Sequence, residues 1–139
     1  MQELIKRCED VLSHDAELDA LIWAEIDGRD VRQERNMLLA RSRKPPNDEC
    51  LLGFIDPGEH SRNFTTAGLH KPPLPSYTGS IDAALLLVPS KVEWSVYRSK
   101  EGNFSGECGY YAVNGKTAAG SLAAAALVYW LEETDIAAA

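Results

Sequence analysis

Residues 122–131 carry no charged side chain and lie inside an alanine-rich stretch, 118–133, of high helical propensity despite Gly120. A helix that is apolar nearly all round keeps neither face in water. One face of this segment is therefore expected on a sheet. The other is expected against the helical pattern at residues 81–88 or against another copy of the chain. At ten residues the run falls short of the roughly 20 that a bilayer span requires, so no membrane span is expected.

Upstream, the patterns supply partners for such a helix. Leu4, Ile5, Cys8, Val11 and Leu12 are spaced as one helical face over residues 2–13. Leu18, Leu21, Ile22 and Ile26 mark a second helix, with Ser13 or Asp15 as its cap and Gly28 as its end. Residues 37–40 and 50–55 read as short strands. The turn-forming Pro45-Pro46-Asn47-Asp48 between them suggests a hairpin. Ser80 is placed to cap a helix with Ile81, Ala84, Leu85 and Val88 on one face, and Pro89 stops it. Val92, Trp94 and Val96 alternate with polar neighbours as a half-buried strand does. Lys100 to Asn103 turns the chain, residues 107–113 return as a second strand, and Thr117 caps the last helix. The expected fold class is α+β, a small mainly antiparallel sheet packed between helices in an α/β/α sandwich-like arrangement.

The chain has 139 residues, which suits one domain, so 1–139 is read as a single unit with a long proline-rich loop at about 56–78. Apolar residues make up 45% and charged residues 25%, which excludes wholesale disorder and collagen-like structure. The formal charge of −7 opposes nonspecific nucleic-acid binding, a mode that needs a basic field to displace phosphate counterions. No signal peptide is expected, because Glu3, Glu9 and Asp10 interrupt the first ten residues. Cys8, Cys50 and Cys108 are an odd number without a C-x-x-C pair, as in a reducing compartment.

Motifs for catalysis are weak. Gly115-Lys116-Thr117 stands where a phosphate-binding loop would end, but the glycine that signature needs is Tyr110. Cys50, Asp56, Glu59, His60 and His70 lack zinc-finger or H-E-x-x-H spacing, so no metal and no cofactor is assigned. A small metal- or cysteine-dependent hydrolase using His60, His70 and Cys50 or Cys108 is kept as one alternative.

Charge is segregated. The first 30 residues hold 3 basic and 9 acidic side chains, whereas residues 31–47 sum to +4. On the second helix Asp15, Asp19, Trp23 and Asp27 recur every fourth residue, forming one stripe. That stripe is the candidate binding surface, an acidic patch with an aromatic anchor suited to a basic partner. The competing reading is a solvated face whose tryptophan packs on the basic segment by cation–π contact. Tyr97 and Arg98, with Tyr110 and Tyr111, form a second candidate set that could stack and pair a nucleotide second messenger, making the chain a sponge for it.

Taken together, Glu17-Leu18-Asp19-Ala20-Leu21-Ile22, the segment Pro75-Ser76-Tyr77-Thr78-Gly79-Ser80-Ile81-Asp82-Ala83-Ala84 and the Thr117-capped alanine-rich helix resemble the phage ABA sandwich domain proteins. The likeness leaves residues 29–74 unmatched. It implies a sheet between helices and a viral accessory protein in a bacterial cytoplasm. With the acidic balance, it leads to the expectation of a non-enzymatic inhibitor of a host component. The expected target is a protein or ribonucleoprotein complex with a basic surface, such as an anti-CRISPR-type protein would occupy.

Overall fold

The computed structural model describes residues 1–57, 62–66 and 68–138. The fold is mixed α+β, with helices packed on antiparallel strands, and the strands form two sheets. The chain divides into two compact units, the first made of Met1–Leu18 with Ser76–Ala139 and the second of Asp19–Pro75. Helix α1 spans Gln2–Asp10, and α2 spans Ala16–Ile26, with its first residues in the first unit and the rest in the second. Among the described residues no helix is long and apolar enough to cross a membrane.

In the first unit, strands β5 (Trp94–Arg98), β6 (Phe104–Cys108) and β7 (Tyr111–Gly115) form an antiparallel meander in that order. Helix α4 (Ala118–Ala138) lies on one face of it and also packs against α1 and against the short α3 (Ile81–Ala84) with its 3-10 continuation, Leu85–Leu87. The apolar belt of α4 is thus enclosed on several sides, and Leu122 through Leu127 are all buried. The later part of the run, from Val128 to Leu131, is only half-buried, and Trp130 is 37% exposed.

Glycines set the closeness of that packing. A Cβ on Gly106 of β6 would fall on the Ser121 carbonyl and 2.6 Å from the Leu122 nitrogen of α4. One on Gly120 would lie 2.6 Å from the Cys8 carbonyl oxygen of α1. Gly120, costly for helix propensity, is therefore what lets α1 and α4 approach.

The expected single strand over 107–113 is two strands. Gly109 takes φ +61, a left-handed conformation that glycine adopts without steric cost, and the chain reverses at Gly109 and Tyr110.

In the second unit, β1 (Arg29–Glu34), β2 (Met37–Ser42), β3 (Glu49–Pro57) and β4 (Arg62–Thr65) pair in sequence order. The β2–β3 hairpin is the one anticipated. β1 was hidden by its charges, and β4 falls within the segment read as a loop. Leu38 faces Gly53 and Leu39 faces Leu51, so Leu52 is an extra residue in β3. This bulge shifts the pleat, and Leu52 and Ile55 both join the core with Leu38, Ala40, Ala20 and Ala24. Gly53 leaves room for the Phe64 ring, since a Cβ there would strike it and lie 2.7 Å from the Thr65 carbonyl oxygen.

Candidate functional site: an acidic and aromatic surface

The stripe on α2 does not form an acidic surface. Asp15 is the N-cap of α2: its Oδ1 accepts the Leu18 N–H at 3.0 Å and its Oδ2 accepts from Arg7 at 3.3 Å. Asp19 is 3% exposed, which withdraws it from any partner. Trp23 is half-buried, with Arg29 over its ring at 5.8 Å and the His70 ring at 6.0 Å. Asp27 is exposed but accepts from Arg29 Nε at 2.7 Å. Of these residues only Asp19 and Trp23 lie within α2, with Asp15 before it and Asp27 after it. Helical spacing could not show that this face looks inward at Asp19, or that its neighbours are arginines.

Two arginines of the basic segment, and Arg29 just before it, are paired in the same way. Arg29 bridges Asp27 and Asp48, Arg32 bridges Glu34 and Glu49, and Arg43 bridges Asp30 and Glu25. These carboxylates hold all three guanidinium pKa values above their ordinary range, the hydrogen bonds donated to Asp27, Glu49 and Asp30 being the largest causes at Arg29, Arg32 and Arg43 respectively. Such exposed pairs contribute little each to stability but leave little net charge. The second unit holds eight basic and nine acidic residues, while the first holds six and twelve. Nearly all of the −7 therefore belongs to the first unit.

Within that unit residues 91–116 carry Lys91, Arg98, Lys100 and Lys116 against Glu93, Glu101 and Glu107, so the negative charge lies on residues 1–18 and on the last turns of α4 rather than on the sheet as a whole. Glu93, Glu107, Glu132 and Glu133 have no ion-pair partner among the described residues, unlike Glu9 and Asp10 beside Lys6. Glu107 accepts from Ser95 Oγ at 2.9 Å and from Tyr97 Oη at 3.5 Å. Glu133 accepts from Tyr111 Oη at 3.1 Å. Partial burial, with that carboxylate, pushes the Tyr111 phenol above its usual range. Aromatic rings stand among these carboxylates. Tyr110 at the β6–β7 turn is fully exposed, Tyr97 is 52% exposed, and Trp130 is fixed by a 2.6 Å hydrogen bond from Nε1 to the Leu87 carbonyl while keeping part of its ring in water.

The second candidate set does not converge on a pocket. Opposed residues in an antiparallel sheet share a face, and successive residues alternate. Gly106 and its opposite residues Val96 and Val113 face α4, so Arg98 and Tyr111 are on that face also, and Tyr111 meets Tyr129 edge-to-face at 5.9 Å. Tyr97 points to the open face, with Glu107. Tyr110 lies on the turn. Sequence adjacency had joined residues that the pleat separates.

The remaining chemical candidates are dispersed. Cys8 and Cys108 are buried, and burial pushes the Cys108 thiol up to about 11, where thiolate is scarce at neutral pH. Burial likewise raises Cys50. His70 Nε2 lies 3.0 Å from the Leu52 carbonyl oxygen, and His60 lies outside the described residues. Among the described residues no three His, Cys, Asp or Glu side chains are grouped to hold a metal ion. A cleft of about 490 Å³ in the first unit is lined by His14, Thr78, Ser80, Asp82 and Thr117. Three of its hydroxyls are engaged in helix starts: Thr78 Oγ1 accepts the Asp15 N–H, Ser80 Oγ the Ala83 N–H and Thr117 Oγ1 the Gly120 N–H. It is a junction of caps.

No family model matches the chain, and neither curated proteins nor solved structures include a match to it.

Proposed function

We propose that this protein is a non-enzymatic binding module, a phage accessory protein of the ABA sandwich type that occupies a basic surface on a bacterial host protein or ribonucleoprotein complex and inhibits it, as an anti-CRISPR protein would. The observation that supports this reading is a set of carboxylates without an ion pair among the described residues: Glu132 and Glu133 near Trp130 on the last turns of α4, and Glu93 and Glu107 on the β5–β7 sheet, whose open face carries Tyr97. Unneutralised carboxylates raise the association rate with a basic partner, and rigid aromatic rings supply contact area at low entropic cost. On this reading the interface lies on the first unit rather than on α2.

The test is affinity capture from bacterial lysate with matched variants. Glu93→Lys with Glu132→Lys and Tyr110→Ala alters only exposed side chains and is expected to weaken retention of the captured protein by tenfold or more. Asp15→Asn with Asp27→Asn is expected to retain it. Equal retention by both variants contradicts the proposed surface.

A further inference from the structure

Strand β5 is an edge of its sheet, and the elements packed against it are β6 and α4. An open edge displays unpaired N–H and C=O groups, and natural proteins blunt such edges with charge, shortness or cover. The other edges here are managed in those ways. β1 carries Arg29, Asp30, Arg32 and Glu34, β4 is 4 residues long, and β7 has α1 against it, with the Lys116 N–H donating to the Glu9 carbonyl. β5 reads Trp-Ser-Val-Tyr-Arg, with strong strand formers and a charge at its end alone.

Its outward groups can be identified. The Gly109 N–H donates to the Glu93 carbonyl at 2.8 Å and the Ser99 N–H to the Asn103 carbonyl at 2.7 Å. Residues 93 and 99 thus bond toward β6. In an antiparallel ladder the bonded residues alternate, so Ser95 and Tyr97 also bond toward β6, and Trp94, Val96 and Arg98 present their N–H and C=O groups to the free edge. Those three residues are symmetric about Val96.

We infer that β5 pairs antiparallel with β5 of a second copy of this chain about a two-fold axis at Val96, joining the two three-stranded sheets into one. In this register outward groups meet outward groups at every position, giving about six backbone hydrogen bonds. Trp94 of each copy stands opposite Arg98 of the other. Arg98 is exposed and has no ion pair among the described residues, and Trp94 is 46% exposed, so each guanidinium finds an aromatic face. On the opposite face Ser95 stands across from Tyr97. The fit is self-complementary, as a two-fold interface requires. A pairing over one short strand gives a small interface, so the dimer is concentration-dependent. It rests on the outward backbone groups of β5 and not on the binding role proposed above, although Tyr97 belongs to both.

Sedimentation velocity over a concentration series tests this, with amide hydrogen exchange at the same concentrations. The wild type is expected to reach twice the chain mass. The amides of Trp94, Val96 and Arg98 should lose protection on dilution while those of Ser95 and Tyr97 keep theirs. Trp94→Lys sets a lysine against Arg98 of the other copy and should weaken the dimer tenfold or more. Adding Arg98→Glu should restore it. Arg98→Glu alone, at an exposed position, should weaken it without disturbing the fold. A wild type that stays monomeric, a dimer indifferent to these changes, exchange without the alternation, or a double variant that fails to recover overturns the inference.

Discussion

Gly106→Ala is expected to lower stability by about 3 kcal/mol, at the upper end of overpacking costs, and to reduce the melting temperature by roughly 10 °C. The added methyl has no flexible neighbour to displace. It would meet the carbonyl of Ser121 and, at 2.6 Å, the nitrogen of Leu122, which are helix backbone. Relief requires α4 to lift from β6, and α4 is also packed against α1, α3, β5 and β7. Ala112→Ser, on an exposed position of β7, provides the comparison and should change stability by less than about 0.5 kcal/mol. Urea unfolding of both variants decides the matter. A Gly106→Ala protein as stable as the wild type would mean that α4 does not sit on β6 as closely as described.

Leu122→Ala is expected to cost about 2–5 kcal/mol, through lost transfer free energy and the cavity left behind. Leu122 is fully buried at the sheet–helix contact, and the next four residues are alanines, also fully buried. Those side chains are too short to fill the space, which puts the expected loss in the upper half of the range. Leu122→Met keeps most of the volume and should cost less than about 1.5 kcal/mol. Equilibrium denaturation would show the difference between the two. A loss below about 1 kcal/mol for the alanine variant would contradict the enclosed position assigned to this residue.

The second expectation rests on a feature visible in the chain before its fold is known, whereas the closeness of Gly106 to α4 is seen only in the structure. The apolar run at 122–131 demanded cover on several sides, and the structure supplies it from a sheet and two other helices. The caps were legible too: Asp15, Ser80 and Thr117 each accept the backbone N–H that their position before a helical pattern implied. What local patterns missed has physical causes. β1 alternates charges, and its partners Glu49 and Asp48 are supplied by distant residues, so nothing nearby in sequence marks it as a strand. The bulge at Leu52 breaks the period-2 pattern that would have identified its core positions. The turn at Gly109 and Tyr110 lies inside a stretch whose composition is that of one strand.

The proposed binding surface takes its acidic and aromatic character from composition, whereas the spacing of the sequence points to α2. An excess of acid with scattered aromatics suggested a basic partner, but periodicity assigned it to α2. Ion pairing decides where net charge remains, and ion pairs such as Arg29 with Asp48 or Arg32 with Glu49 join residues that sequence spacing cannot connect. Once those pairs are counted, carboxylates without an ion pair remain among the described residues at Glu93, Glu101 and Glu107 on or beside the β5–β7 sheet, at Glu132 and Glu133 on α4, and also at Glu3, Asp56 and Asp82. The same geometry separates Tyr97 from Arg98 and Tyr111 by the thickness of the sheet.

The central claim is that recognition occurs on this surface and is driven by its carboxylates and rings. The most direct measurement is a titration of the isotopically labelled protein with an arginine-rich peptide, followed by amide chemical shifts in NMR. Perturbations are predicted at Glu93, Tyr97, Glu107, Tyr110, Trp130 and Glu132, shrinking as salt is added because the attraction is screened. Shifts confined to Asp15 through Asp27, or no shifts at low salt, would contradict it.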